Sequence, residues 1–377
     1  MAHPSPLPSG RTARDELAAA VPPPGLLTVD LDALARNYRR LRDLASPAIC
    51  AAVVKADAYG LGVAPVAARL ALEGCTRFFV ATVDEGRELR RVVPEASIYV
   101  LEGVAAGAEH VVTACGLIPV LNSLEQIERW NRIGGAAVLH IDTGMARLGL
   151  DERDIERLAA EPSRLANIEI DHVMTHLACA DEPEHPLNAE QLRRFDVLRR
   201  RLPPAPTSIG ASAGIFLGPE HRGDLVRPGI GLYGGNPFRD RTSPIETVVT
   251  LSARVVQIRE IAEPVTVGYG ATYKARPPCR LAVCGVGYAD GYPRAAGNIC
   301  DAAFRGTRLP VVGRVSMDLT CIDVSALPPS AISVGDYVEL IGPTITLDEV
   351  ANAAGTIGYE ILTRLGSRLE RRYEGAF

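Results

Sequence analysis

A chain of 377 residues is too long for one ordinary core, so two domains are the default expectation. With 47% apolar residues, a mixed-sign formal charge of -5 and no apolar run of membrane-span length, it reads as a globular enzyme, not a nucleic-acid binder or membrane protein. Its eight cysteines are scattered and form no Cys-x-x-Cys pair, which argues against a zinc site or a disulfide framework.

Residues 1–25 are rich in Pro, Ser and Ala, with Arg11, Arg14, Asp15 and Glu16 among them. They hold no continuous apolar segment of the signal-peptide kind. The expectation is a disordered tail on a cytoplasmic protein. From about residue 27 to 235, short apolar runs alternate with amphipathic ones. The expected strands are Ile49–Val54, Phe78–Ala81, Ser97–Leu101, Ile118–Leu121, Ala137–Ile141, Ile168–Met174, Thr207–Ile209 and Asp224–Val226. Helical patterns lie between them at Val63–Glu73, Leu124–Arg132, Glu152–Ala159 and Ala189–Arg201. This alternation predicts a (β/α)8 barrel over residues 26–240. An open dinucleotide-binding sheet is disfavoured, because Gly60-x-Gly62 lacks a third glycine and the downstream acid. After residue 240, β-branched runs separated by Gly, Pro and Asp predict a mainly β domain over 241–377.

The chemistry-bearing residues cluster where barrel strands end. In Val53-Val54-Lys55-Ala56-Asp57-Ala58-Tyr59-Gly60, an amine stands at the carboxyl end of a buried strand. A lysine held there is suited to form a Schiff base with a carbonyl, although most lysines are simply solvated. The loop Asp142-Thr143-Gly144-Met145-Ala146-Arg147-Leu148-Gly149 offers an arginine that can fork onto an anionic oxygen, or merely a surface ion pair. Thr175-His176 ends the sixth strand, where a structural histidine is the plain alternative. Ala211-Ser212-Ala213 and Arg227-Pro228-Gly229-Ile230-Gly231 follow the seventh and eighth strands, the usual phosphate site of a barrel. Ser212 could equally be a helix cap. In the β domain, Val286-Gly287-Tyr288-Ala289-Asp290-Gly291-Tyr292 reads either as a hairpin turn or as a tyrosine poised for proton transfer. A barrel lysine, a phosphate site, arginines and a tyrosine together suggest pyridoxal 5′-phosphate.

These motifs stand in the order found in alanine racemases, and the chain resembles that barrel-type pyridoxal-phosphate family from the tail onward. Gly313-Arg314-Val315-Ser316-Met317-Asp318 adds to the match. The resemblance implies that Lys55 binds the cofactor and serves the D-enantiomer, while Tyr288 serves the L-enantiomer from the opposite face. It implies His176 and Arg147 as the neighbours that assist Tyr288, and Arg227 at the pyridine nitrogen. It implies Tyr59, Ser212, Gly229, Ile230 and Tyr359 around the phosphate, with Met317 and Arg147 at the substrate carboxylate. It also implies a homodimer with composite sites, no metal, and D-alanine destined for peptidoglycan. Three positions depart from the family pattern. His140 replaces a lysine that is often carbamylated, Ala211 replaces an asparagine, and Gly60-Leu61-Gly62 replaces Gly-His-Gly. The alternatives are a broad-specificity racemase or amino-acid decarboxylase of the same barrel type, and a non-enzymatic cofactor-binding protein. Arg227 and the Gly-Tyr-Ala-Asp-Gly motif weigh against the decarboxylase, and the second domain weighs against the binding protein.

Overall fold

The computed structural model describes residues 21–376. The tail expected over 1–25 therefore lies outside the described residues as far as position 20. Its last part is held in place: the Pro23 carbonyl accepts from the Tyr337 hydroxyl at 2.7 Å, and the Pro24 carbonyl from Arg254 N at 2.9 Å.

In chain order the first half contains β1 (Gly25–Asp30), α1 (Leu31–Ala45), β2 (Ile49–Cys50), β3 (Ala52–Val53), α2 (Val63–Leu72), β4 (Arg77–Val80), α3 (Val83–Val92), β5 (Ser97–Val100), α4 (Glu109–Ala114), β6 (Leu117–Leu121), α5 (Leu124–Ile133), β7 (Gly135–His140), α6 (Glu152–Ala160), β8 (Ile168–Met174), α7 (Pro186–Arg199), β9 (Thr207–Ala211), α8 (Gly214–Leu217) and β10 (Leu225–Arg227). Side chains that satisfy the first free amides mark the helix starts. Asp30 caps α1, Ser123 caps α5, Asp151 caps α6, and Thr82 with Glu85 forms a reciprocal box at α3.

The strands β2 to β10 pair in parallel in the order β2-β10-β9-β8-β7-β6-β5-β4-β3. β2 and β3 are two halves of one strand interrupted at Ala51. The first half pairs with β10 and the second with β4, so the sheet closes into the expected barrel. Strands covered on both faces need continuous apolar runs, and Val80, Ile98, Val100, Val120, Val138 and Leu139 are fully buried. Lys55, Asp142, Thr175, Ser212 and Pro228 directly follow the carboxyl ends of their strands, or come within two residues of them, so the loops that carry function share one end of the barrel.

The second half contains β11 (Val249–Ile261), β12 (Val265–Val267), β13 (Tyr273–Ala275), β14 (Cys279–Cys284), β15 (Asp301–Phe304), β16 (Thr307–Pro310), β17 (Thr320–Asp323), β18 (Tyr337–Ile341), α9 (Leu347–Ala353), α10 (Gly358–Arg364) and β19 (Glu370–Glu374). One sheet runs β16-β15-β18-β11-β1-β19, with β14 joining β11 to β17. Here the sequence expectation needs a correction. β1 falls within the span assigned to the barrel, but it pairs antiparallel with β11 and parallel with β19 in the second sheet. Alternating apolar residues identify a strand without identifying its partner. The first and last strands of the described residues therefore tie into the second sheet, and α10 packs back against the Lys55 segment.

Candidate active site

Lys55 opens a turn with an unusual hand. Ala56, Asp57, Ala58 and Tyr59 have φ of 52°, 53°, 52° and 59°, a left-handed helical turn made without glycine. Such a conformation costs about 1–2 kcal/mol per residue, so the surroundings must enforce it. Glu85 Oε1 accepts from Ala56 N at 2.8 Å, and Asp57 Oδ1 accepts from Val63 N at 2.6 Å. Arg371 donates to the Gly60 carbonyl at 2.9 and 3.2 Å, and the Tyr373 hydroxyl donates to the Leu61 carbonyl at 2.9 Å. Gly60 has φ of 83°, and a Cβ there would lie 2.6 Å from the Leu362 carbonyl oxygen. Burial, and then the Arg147 guanidinium, lower the Lys55 pKa, while Glu85 opposes them. The amine is thus biased toward its neutral, nucleophilic and basic form.

Arg227 lies below the barrel mouth, 3% exposed. It donates to the Ser208 hydroxyl, to the Thr175 carbonyl at 2.8 Å and to the Ile209 carbonyl at 3.3 Å. Among the described residues it has no carboxylate partner, and burial pushes its pKa down to about 10. Its Nη2 is 3.5 Å from His176 Nδ1. A guanidinium only donates, so Nδ1 accepts and the His176 proton sits on Nε2. Burial, with Arg227 and Arg147 nearby, pushes the His176 pKa down to about 3. His176 is therefore neutral and can help a phenolate only by donating a hydrogen bond. Gln191 fixes the histidine's backbone, donating to the His176 carbonyl at 3.0 Å while accepting from Ala178 N at 2.8 Å.

The Ser212 hydroxyl oxygen, buried under these loops, accepts from Gly229 N at 3.0 Å and Gly231 N at 3.1 Å. Its own proton stays available to donate. Ile230, whose amide falls between those two, opens a 3-10 turn, where the first N–H groups lack intrachain acceptors. A Cβ at Gly229 would collide with the Tyr59 hydroxyl, so only glycine lets that phenol lie on this backbone. Tyr59 packs on Tyr233 with ring centroids 4.7 Å apart and on Tyr359 at 5.9 Å. Burial raises the pKa of Tyr59, so it remains a protonated donor, while Tyr359 stands at the edge of the stack, 41% exposed, as an ordinary phenol donor. Two phenols, a serine hydroxyl and backbone amides suit a phosphate. The buried, carboxylate-free Arg227 suits a neutral ring nitrogen. The residues fit pyridoxal phosphate.

Tyr288 and Met317 form a separate group. Tyr288 N donates to the Ser316 carbonyl at 3.0 Å and Ala289 N to the Met317 carbonyl at 2.9 Å. Arg368 forks onto buried Asp290 and also reaches Asp318 at 2.7 Å, pinning both loops. Tyr288 is 41% and Met317 53% exposed. Among the described residues, neither is hydrogen-bonded to Lys55, Arg147, His176 or Arg227. Tyr288 instead borders a cavity of about 560 Å³ with Arg294, Glu360 and Arg364 of its own chain. Arg147 is exposed and has no hydrogen bond or ion pair among the described residues. A smaller cavity of about 220 Å³, lined by Arg77, Asp171 and His172, sits at the opposite end of the barrel and is remote from this chemistry.

The sequence reading missed Glu85, Asn122, Gln191 and Tyr269. Only two of these carried a signal: Thr82-x-x-Glu85 is a capping box, and Gly268-Tyr269-Gly270 brackets a tyrosine with glycines. Tyr269 is 70% exposed on a turn with positive φ at Gly268 (71°), Gly270 (74°) and Ala271 (50°). A Cβ on Gly270 would lie 2.7 Å from Arg314 Nη1, and Arg314 leads directly into the Met317 loop.

Comparison with known proteins covers nearly the whole chain. Residues 29–237 match the model of the alanine racemase N-terminal domain, and residues 248–373 that of the C-terminal domain. The alanine racemase of Rhodospirillum rubrum is 50% identical over 358 residues, covering 93% of this chain and 96% of the relative. A catabolic alanine racemase of Mesorhizobium japonicum is 48% identical over 357 residues, covering 93% of each. The crystal structure of the Bartonella henselae alanine racemase, with covalently bound pyridoxal phosphate, superposes with a TM-score of 0.89 at 40% identity. That match covers 94% of this chain and all of the other.

Proposed function

The chain belongs to the alanine racemase family, and from that premise we propose how its own residues interconvert L- and D-alanine. The enzyme is a pyridoxal-phosphate-dependent isomerase. The observation that carries the residue assignments is a lysine with a lowered pKa, fixed on a left-handed turn at the end of a barrel strand, together with a buried strand-end arginine that has no acid partner among the described residues.

When bound, the cofactor supplies a conjugated ring that takes up the electron pair left as the substrate α-carbon loses its proton. Lys55 holds the cofactor carbonyl and, once the substrate amine has displaced it, stands as a base on one face. Tyr59, Tyr359, Ser212 and the Ile230 amide hold the phosphate. Arg227 donates to the ring nitrogen and cannot accept a proton from it. This limits how strongly the electron pair is drawn away. Return of the proton to the α-carbon is thereby favoured over its delivery to the cofactor, whereas a decarboxylase of this barrel type would pair the ring nitrogen with an acid. Arg147, unpaired among the described residues, receives the substrate carboxylate together with Met317.

Racemisation also needs a proton handler on the opposite face. The resemblance pointed to Tyr288, and we assign the role to Tyr269. Three observations support the change. Tyr269 is the more exposed, its turn holds the non-glycine Ala271 at positive φ, and Gly270 of that turn packs on Arg314, three residues before Met317. Tyr288 then lines the neighbouring cavity. A free phenol has a pKa near ~10, so this base needs a hydrogen-bond donor, a role that suits the His176 Nε2–H.

Because Tyr269, Tyr288 and Met317 lie exposed on the β domain, the reading includes a homodimer in which the β domain of one copy completes the site of the other. Among the described residues no helix is long and apolar enough to cross a membrane. We place the enzyme in the cytoplasm, supplying D-alanine for peptidoglycan. The test is to incubate purified holoenzyme with L-alanine and follow optical inversion and carbon dioxide. D-alanine without carbon dioxide supports the reading, and carbon dioxide without D-alanine overturns it.

A further inference from the structure

The left-handed turn after Lys55 is gripped at both ends, and among the described residues the side chain that reaches the peptide following the lysine is Glu85. Ala56 N, in the peptide unit that begins with the Lys55 carbonyl, donates to Glu85 Oε1 at 2.8 Å. The other oxygen of the same carboxylate accepts from Ala81 N at 2.7 Å and Thr82 N at 3.3 Å. One carboxylate thus ties the lysine turn to the end of β4 and the start of α3. Fixing that peptide plane fixes the direction of the Lys55 Cα–Cβ bond, and so where the amine can reach.

We propose that Glu85 is a positioning residue for Lys55, holding the left-handed turn through Ala56 N and presenting a negative charge to the amine. This rests on Lys55 acting as the base of the proposed function. The charged and titratable groups that act on the amine are Arg147 from the loop after β7, His176 at the end of β8 and Glu85 from α3, while Asp57 and Tyr59 lie on the turn itself. Asp57 is committed to Val63 N, and Tyr59 is a neutral phenol in a buried stack. Glu85 is thus the acid that offsets burial and Arg147 at this amine. The competing reading is that Glu85 does no more than close the α3 cap with Thr82.

The test compares Glu85→Gln and Glu85→Asp with Thr82→Ala, which breaks the same cap without touching the lysine turn. In cofactor-free protein, labelling of Lys55 by an amine-selective arylating reagent is followed against pH by peptide mass. Hydrogen exchange is read in the peptide spanning residues 55–61. Glu85→Gln is expected to move the labelling midpoint to lower pH and to speed exchange. In holoenzyme it should lower kcat by about tenfold with little change in KM, the signature of a misplaced reacting group. Glu85→Asp keeps the charge but shortens the reach, so exchange should rise while the midpoint stays put. It also serves if the glutamine variant fails to fold. Thr82→Ala should change neither readout. If Glu85→Gln matched Thr82→Ala, with an unmoved midpoint and unchanged exchange, the proposal would be overturned. Racemisation by Lys55→Ala would instead sink the assignment of the base, and the labelling result would still judge Glu85.

Discussion

His140 and Asn122 share a buried hydrogen bond, Nδ1 to Oδ1, of 2.8 Å. The Asn122 amide nitrogen is already committed to the Leu101 carbonyl at 3.0 Å and the Val120 carbonyl at 2.9 Å, so its oxygen must face the ring. The proton therefore sits on Nδ1 and leaves Nε2 as a bare acceptor. The His140 carbonyl also accepts from Leu150 N at 2.7 Å, closing the loop that carries Arg147. Where relatives often use a carbamylated lysine, this chain has a neutral imidazole that forms no stable carbamate. Racemisation should run equally fast in carbon-dioxide-free buffer and with added bicarbonate, and activation by bicarbonate would refute this. His140→Ala leaves the Asn122 oxygen buried and unpaired. It should cost about 1–3 kcal/mol of stability, read from the urea midpoint.

Acid should weaken the fold in a defined window. Burial and nearby guanidiniums push His140 to about 4 and His176 to about 3, from an ordinary 6.5. Both folded-state values lie below the unfolded one, so the unfolded chain binds more protons throughout the interval between them. Stability is then fully present above the unfolded value and falls as pH drops toward the folded values, by up to about 1.4 kcal/mol per group per pH unit. The urea midpoint should be flat from about pH 7 to 8 and decline below about 6.5. The decline should be shallower in His140→Gln. An identical slope in that variant would show that His140 does not carry the effect.

Isotope exchange separates the two tyrosines more cleanly than rates do. The equilibrium between enantiomers is symmetric, so any variant must keep the same kcat/KM in both directions, and unequal net rates cannot identify a base. In heavy water, Tyr269→Phe should still wash the α-hydrogen out of D-alanine through Lys55. It should barely exchange L-alanine, and racemisation should fall by about 10²–10⁴-fold. Tyr288→Phe should retain exchange from both enantiomers. The opposite pattern would return the role to Tyr288.

The barrel was legible because its strands are short apolar runs and several of the helices between them start at a side-chain cap, as at Ser123 and Asp151. The motifs at Lys55, Ser212 and Arg227 were legible because they sit where strands end. Two things were not. β1 reads as any other alternating strand, and only long-range pairing with β11 assigns it to the second sheet. The hand of the lysine turn was hidden too. Ala-Asp-Ala-Tyr carries no glycine to announce positive φ, and the groups that enforce it come from Glu85 and Arg371, the latter 311 residues from its acceptor.

A composite site makes a prediction that no single-chain site shares. Lys55→Ala lacks the base in the barrel, and Tyr269→Phe lacks the tyrosine on the β domain. Each homodimer should be inactive or nearly so. In a mixed dimer, one site receives both lesions, and the other receives an intact lysine from one copy and an intact tyrosine from the other. Unfolding and refolding the two variants together should therefore restore activity. With random pairing, half the dimers carry one good site of two, so the yield should approach about a quarter of the native value. If lysine and tyrosine served the same site from one chain, every site would keep one lesion and mixing would restore nothing. Borohydride reduction gives an independent check. Only the Tyr269→Phe copies should retain a covalent pyridoxyl group, because the Lys55→Ala copies have no amine at that position to trap it.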